Sequence, residues 1–318
     1  TQPDATSPKD EVTDCVCSLD GGRILLGRCS HFSRFTAEVE SIDTGTMKLL
    51  ARIPQDADRV EKCAFSPNNE YYAVAAGSAV TLYSAADDRL HRHCEPTEGF
   101  TRELHFLPDG DTLLRVGKEA TLYSVHTGCI VKSLTNWKGI NIRTTIATSS
   151  PDGRYVVVGD NDGGLTMYDM QFGTRSIEFR RHGCEPKVSS CAYAPDGRRI
   201  LAGFWDGSVK LFILGPTLQE IDWGKVCYGV TRCLYVPGGR HFLTVTSSCQ
   251  GHYQAELRLW DALFPGRSTV LLETSKDIVG VACTPVGRVI IAACQDWSIR
   301  AWDTNEREEI ARFDMFSR

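Results

Sequence analysis

No apolar run in this sequence of 318 residues approaches the roughly 18 consecutive residues that a membrane-spanning helix needs. No N-terminal apolar segment follows a basic region either, so nothing reads as a secretion signal. Basic charge is in short supply: 35 Lys and Arg stand against 40 Asp and Glu, a net charge of −5. General binders of nucleic acid or anionic membrane carry a basic excess, so neither is expected as a partner. The thirteen cysteines are odd in number and show no CxxC spacing. They read as reduced, small apolar groups in a cytoplasmic protein, with the nucleus left open, and not as a disulfide framework. Catalytic signatures are missing as well: there is no GxSxG elbow, HExxH, GxxxxGK[ST] loop or GxGxxG. No enzyme activity and no cofactor are expected.

Two fragments mimic metal sites. Asp160-Asn161-Asp162-Gly163 resembles the start of a calcium loop but lacks the ligand spacing and the final Glu, so a hairpin turn explains it better. His91, His93 and Cys94 supply neither the third nor the fourth ligand that zinc requires, and no metal is expected there.

What is present is repetition. Ala194 to Phe212 holds two strand-like runs, Arg199 to Phe204 and Ser208 to Phe212, punctuated by Pro195-Asp196-Gly197 and Asp206-Gly207. A third alternating run precedes them at Val188 to Tyr193, and a fourth follows at Leu218 to Asp222. Four short antiparallel strands make one unit, and the unit recurs. Its turn proline falls at Pro67, Pro108, Pro151, Pro195, Pro237 and Pro285, with Leu19-Asp20-Gly21 in its place in the first copy. The steps of 41, 43, 44, 42 and 48 residues sit at or slightly above the roughly 40 to 45 of one propeller blade.

The third strand of each copy ends alike: Leu259-Trp260-Asp261, Ala301-Trp302-Asp303 and Met167-Tyr168-Asp169, weakening to Leu82-Tyr83-Ser84, Leu122-Tyr123-Ser124 and Leu211-Phe212-Ile213. With Ser66-Pro67, Ser150-Pro151-Asp152-Gly153 and Asp206-Gly207-Ser208-Val209, the chain resembles the WD40 repeat family over roughly residues 12 to 315. The resemblance implies an all-β fold, a seven-bladed β-propeller of four-stranded antiparallel blades. One domain would fill residues 12–318 behind a polar tail at 1–11, whose lack of strand pattern leaves the outer strand of blade seven to Glu309–Phe313. The repeats are degenerate. Blades two and three have Gly77 and Gly117 where the second turn usually carries an acid; blades four, five and seven keep Asp162, Asp206 and Asp296. Blade six inserts Ser248 to Gln254, and the Gly-His dipeptide that opens a family repeat is absent from its place. Apolar packing is expected to carry the load that the family's Asp-His-Ser/Thr-Trp network would otherwise share.

A propeller exposes its function in its loops. The family's usual partner face carries the loops before each first strand and between second and third strands. By motif, its contact positions here are Thr13, Glu61, Arg102, Thr145, Ser189, Thr231 and Val279, preceded by Arg59, Arg143 and Lys187, together with Asn161, Trp205 and Gln295 at the second turns. Arg59, Arg102, Arg143 and Lys187 come from successive blades, and Phe204, Trp205 and Trp297 add the aromatic character of interface hot spots. The other reading has the tryptophans packed on neighbouring blades.

The expected function is a non-catalytic scaffold that binds a protein or peptide on this face, with an acidic or phosphorylated partner matched to the arginines. The alternatives are the sensor or autoinhibitory module of a larger NACHT-type ATPase, suggested by the polar leader and missing initial Met, and a ubiquitin-ligase substrate receptor or propeller enzyme. The receptor reading is weakened by Leu263 and Asn305, where an Arg usually follows the WD motif.

Overall fold

The computed structural model describes residues 11–29, 37–46, 48–134, 144–171, 174–179, 186–215, 219–247, 254–284, 286–296 and 298–314. Among them all regular structure is strand, arranged as seven four-stranded antiparallel sheets that each take their strands in chain order. These are the blades of a β-propeller: 11–55, 60–93, 103–133, 144–179, 188–225, 230–274 and 278–314. Two compact units share them, blades one to three in the unit that ends at Thr144 and blades four to seven in the unit that begins at Thr145. The outer strand of blade seven is Glu309–Asp314, paired antiparallel with Ser298–Asp303, as the alternation in the C-terminal segment predicts.

The turn signals work through side-chain locks. In the first turns of blades one, two and four, a hydroxyl donates to the residue two positions on: Ser18 to Asp20 at 2.6 Å, Ser66 to Asn68 at 2.6 Å and Ser150 to Asp152 at 2.5 Å. The same hydroxyl oxygen accepts from the N–H that opens the second strand, of Arg23, Tyr71 and Tyr155, each at 2.9 Å. Such local bonds compete with the ladder and so fix where it stops. Gly153, at φ +71°, and Gly197, at φ +66°, take the left-handed conformation these turns require.

The third-strand aromatic, replaced by Ile42 in blade one, faces a partner directly opposite it on the second strand. The pairs are Ile24–Ile42, Tyr72–Tyr83, Leu113–Tyr123, Val156–Tyr168, Ile200–Phe212, Phe242–Trp260 and Ile290–Trp302. Tyr72 and Tyr83 stack with ring centres 5.2 Å apart, and Phe242 and Trp260 at 5.9 Å. In blades two, three, five, six and seven the pair packs on the preceding blade. Phe242 and Trp260 meet Leu201, Val209 and Trp223 of blade five, while Ile290 and Trp302 meet Leu243, Leu257 and Leu259 of blade six.

The polar network of the repeat survives in one fragment, the indole N–H of Trp260 donating to the Thr244 hydroxyl at 2.9 Å. The turn acids act locally instead. Asp206 and Asp296 each accept from the backbone N–H and the hydroxyl of the serine two positions on, Ser208 and Ser298. Asp160 receives the N–H groups of Asp162 and Gly164, the hairpin that the sequence suggests.

The thiols at the first strands divide. Cys63, Cys191 and Cys233 are buried, whereas Cys283 is only half-buried. Burial pushes the Cys233 thiol up to about 12 and that of Cys283 up to about 11.

Two outcomes are expected. Trp302→Ala, which empties a site only 1% exposed, should lower stability by about 3–5 kcal/mol in thermal or denaturant unfolding. Alkylation of the native protein followed by mass spectrometry should modify the exposed Cys129 and Cys227 first, and leave Cys63, Cys191 and Cys233 unmodified until denaturant is added.

Candidate functional site

The expected contact positions share a structural cause. In blades one, two, five, six and seven the first strand carries a β-bulge, and the bulged residue is Thr13, Glu61, Ser189, Thr231 or Val279. A bulge places an extra residue outside the ladder and re-aims its side chain. In blade five that side chain turns inward, and in blade four Thr145 does the same. The Thr145 hydroxyl bridges the carbonyl of Gly159 at 3.1 Å and that of Val188 at 2.6 Å. The Ser189 hydroxyl likewise bridges the carbonyls of Gly203 and Val230. These two residues therefore tie one blade to the first strand of the next, a correction to their expected role as contacts. Arg102 and Val279, by contrast, are exposed.

In the first unit, Arg59 and Glu61 line an open depression of about 800 Å³ together with Asp56, Asp58, Lys62 and Phe100. Arg59 is exposed, and Lys62 is held by Asp14 at 3.2 Å. Phe100 is 74% exposed although it is a large apolar side chain, and its position is imposed from below. The Arg115 guanidinium is 1% exposed and donates to the Thr101 hydroxyl at 2.8 Å, to the Thr97 hydroxyl and to the Gly99 carbonyl. A buried arginine held by three neutral oxygens pins this loop, and burial lowers its pKa. Burial also raises the Glu61 carboxyl above the usual carboxylate range, against the Gly77 N–H, its own N–H and then the charges of Arg59 and Arg115. Glu61 Oε2 has no hydrogen-bond partner. Arg102 lies one residue beyond the lining and donates through Nη1 to the Thr144 carbonyl at 2.7 Å.

In the second unit, Trp205 is 53% exposed on the second turn of blade five, and the Lys187 ammonium sits 5.3 Å from its ring centre. The Trp205 N–H donates to the Lys187 carbonyl, and the equivalent bond in blade seven runs from Gln295, also exposed, to Asp277. Phe204, expected at the contact surface, is 2% exposed and packs with Val157, Ile200 and Phe212. Strand alternation sends it to the core and its neighbour Trp205 to solvent. Arg143 and Trp297 lie outside the described residues. Phe100 went unpredicted because a lone Phe in a Thr-Glu-Gly-Phe-Thr loop gives no sign that the arginine fifteen positions on fixes it outward.

Residues 173–212 and 267–303 match the family described as WD domain, G-beta repeat. Both segments run from the outer strand of one blade through the three inner strands of the next, so the sequence repeat is offset from the blade. The chain is similar to the guanine nucleotide-binding protein subunit beta of Solanum tuberosum, 28% identical over 77% of this chain and 68% of that protein. It is 24% identical to the WD repeat-containing protein WDS homolog of Arabidopsis thaliana over 80% of this chain, but over 47% of that protein. It is also 24% identical to the ribosome biogenesis protein WDR12 homolog of Drosophila sechellia, over 56% of this chain. The chain thus spans about half the length of these last two relatives, 47% and 48%. Among solved structures, the β-propeller domain of Cps50 (Swd1) from Myceliophteria thermophila matches with a TM-score of 0.70 at 13% identity, over 91% of this chain and 95% of that one. Fold and exposed rim residues together define a propeller scaffold. The two matched repeats and the seven four-stranded blades together support a WD40-repeat β-propeller.

Because burial as a carboxylate costs Glu61 stability, the contribution of its protonated form is lost as pH rises through its raised folded value. Glu61→Gln, neutral and nearly isosteric, should therefore leave the melting temperature at pH 7 unchanged or higher. A fall in melting temperature would show the charge to be stabilising.

Proposed function

We propose that the chain is a non-catalytic scaffold that binds a protein or peptide partner at the end of its blades where the second turns lie, in a reducing compartment such as the cytoplasm. The protein-interaction class follows from the family, whose propellers serve generally as scaffolds. The observation that carries the finer reading is the depression in the first unit: a strongly exposed Phe100, locked in place from beneath by Arg115, beside the exposed Arg59. A preorganised aromatic with an adjacent arginine offers the anchor of a hot spot at low entropic cost. Trp205 with Lys187 repeats that chemistry in the second unit.

An acidic or phosphorylated group on the partner fits Arg59 and Arg102, since a guanidinium holds either oxyanion by charge-assisted bonds. Asp56, Asp58 and Glu61 line the same depression, so a partner that presents both signs of charge beside an apolar side chain matches it best. Buried thiols at Cys63 and Cys233, which form no disulfide, fit such a compartment.

The test uses the intact chain as bait in a pull-down read by mass spectrometry, followed by affinity measurement on the recovered partner. Phe100→Ala is expected to weaken binding by about 2–4 kcal/mol and Arg59→Ala by about 1–3 kcal/mol, with melting temperatures within the range of surface substitutions. Arg59 is the cleaner probe, because Arg102→Ala also removes the bond to the Thr144 carbonyl. Binding that survives Phe100→Ala together with Arg59→Ala, or that ignores salt between low and physiological strength, overturns the reading.

A further inference from the structure

At the other end of the second unit a different surface stands out. Strands that alternate in direction put the first and third turns of every blade at one end and the second turns, with Trp205, at the other. At the first-and-third-turn end of blades six and seven, three large apolar side chains face solvent: Leu263 at 62%, Phe264 at 56% and Val286 at 81% exposed.

They share one foundation, the turn at Pro237–Arg240. The third turn of blade six is tied to it by the Ala262 N–H, which donates to the Arg240 carbonyl at 2.8 Å, and to blade five by the Gly266 N–H on the Trp223 carbonyl at 3.1 Å. The first turn of blade seven packs so closely that a Cβ on Gly287 would lie 2.5 Å from the Pro237 carbonyl oxygen. From the other side, Arg199 donates to the carbonyls of Ala262 and Gly239. The apolar residues thus stand on interlocked turns.

The charge around them is positive. Arg240 and Arg267 are exposed and form no ion pair among the described residues. The Arg267 guanidinium lies 6.0 Å from the centre of the Phe264 ring. Asp261, the carboxylate of this turn, is 4% exposed and already accepts from the Leu263 N–H at 2.9 Å. The neighbouring His241 reports the local field: burial lowers its pKa first, Asp261 opposes, and Arg240, Arg307 and Arg267 add to the lowering.

We infer that the surface formed by Leu263, Phe264, Val286, Arg240 and Arg267 is a second docking site, and that its occupant is an extended acidic peptide segment of a partner protein, one that carries both carboxylates and aliphatic side chains. The aliphatic groups cover the three exposed side chains, and the carboxylates meet two guanidiniums that lack a carboxylate of their own. A peptide fits better than an anionic bilayer. Two guanidiniums are fewer than the cluster of basic residues by which an anionic bilayer is recruited, whereas they suffice for the carboxylates of one peptide. The inference is independent of the site at the opposite end.

A random peptide library displayed on phage and selected on the intact chain tests it, with affinities of the recovered peptides measured by fluorescence anisotropy. Acidic-aliphatic peptides should be enriched. Their affinity should fall at least about tenfold in Arg240→Glu with Arg267→Glu, and similarly in Leu263→Ser with Phe264→Ser, while Lys276→Ala leaves it within about twofold. Circular dichroism and melting temperature establish that each variant is folded, and a variant that fails is replaced by the single substitution Arg267→Ala. Enrichment of peptides without carboxylates, equal binding to the charge-reversed variant, or sedimentation with phosphatidylserine-containing vesicles in place of peptide binding each overturns the inference.

Discussion

The contact between the second and third strands of each blade, Phe242 on Trp260 or Tyr72 on Tyr83, governs what the rest of the structure can do. A four-stranded sheet has two apolar faces and cannot bury either by itself, so each blade depends on a neighbour. The pair is the projecting part of that packing: two large side chains held face to face by register and pushed into Leu201, Val209 and Trp223 of the preceding blade. The interaction is mainly apolar, which explains how the repeat tolerates loss of its polar network. Where the indole has become Tyr123 or Phe212, the cross-strand partner and the burial persist while the indole N–H is gone. Thr244 with Trp260 shows what was given up, one buried hydrogen bond per blade worth about 1 kcal/mol.

The same packing decides which rim residues remain for recognition. First strands lie where neighbouring blades approach most closely, and the bulge in those strands presents one side chain either to the gap between blades or to solvent. A short hydroxyl residue reaches the gap and bridges two carbonyls, as Thr145 and Ser189 do. Arg102, just before the first strand of blade three, extends outward, while the bulged Glu61 stays half-buried. A list of rim positions drawn from the repeat alone therefore mixes residues that bridge blades, such as Ser189, with residues that face solvent, such as Arg102 and Val279.

This also sets how far the sequence could be read. Strand order, blade count and boundaries were legible because they rest on local signals: Ser-Pro-Asp-Gly turns whose serine locks the next strand, and third strands that end in an aromatic. The offset of Phe204 and Trp205 was legible in principle from alternation alone, yet adjacency made both look like contacts. The depression in the first unit was not. Phe100 is exposed because Arg115, on a different strand, holds Thr97, Gly99 and Thr101, and a bond between positions so spaced leaves no periodic mark. Leu263 and Phe264 were passed over for the opposite reason: the WD40 resemblance directs attention to one end of the blades, and an exposed apolar turn at the other end is invisible to it.

Net charge misleads in the same manner. A chain at −5 suggests a surface that repels acidic partners, but the sum hides where the acids are engaged. Asp206 and Asp296 lock hairpins, and Asp261 is buried under its own turn. Asp303 accepts two backbone N–H groups and faces Arg288. Carboxylates that already receive hydrogen bonds project less field into solvent than exposed guanidiniums such as Arg59, Arg240 and Arg267. Asp206 and Asp296 stay exposed, yet each already accepts the N–H and hydroxyl of its turn serine. Exposed guanidiniums therefore stand beside apolar or aromatic side chains locally, at Arg267 with Phe264 and at Arg59 in the depression that also holds Phe100, on a protein that is acidic in sum.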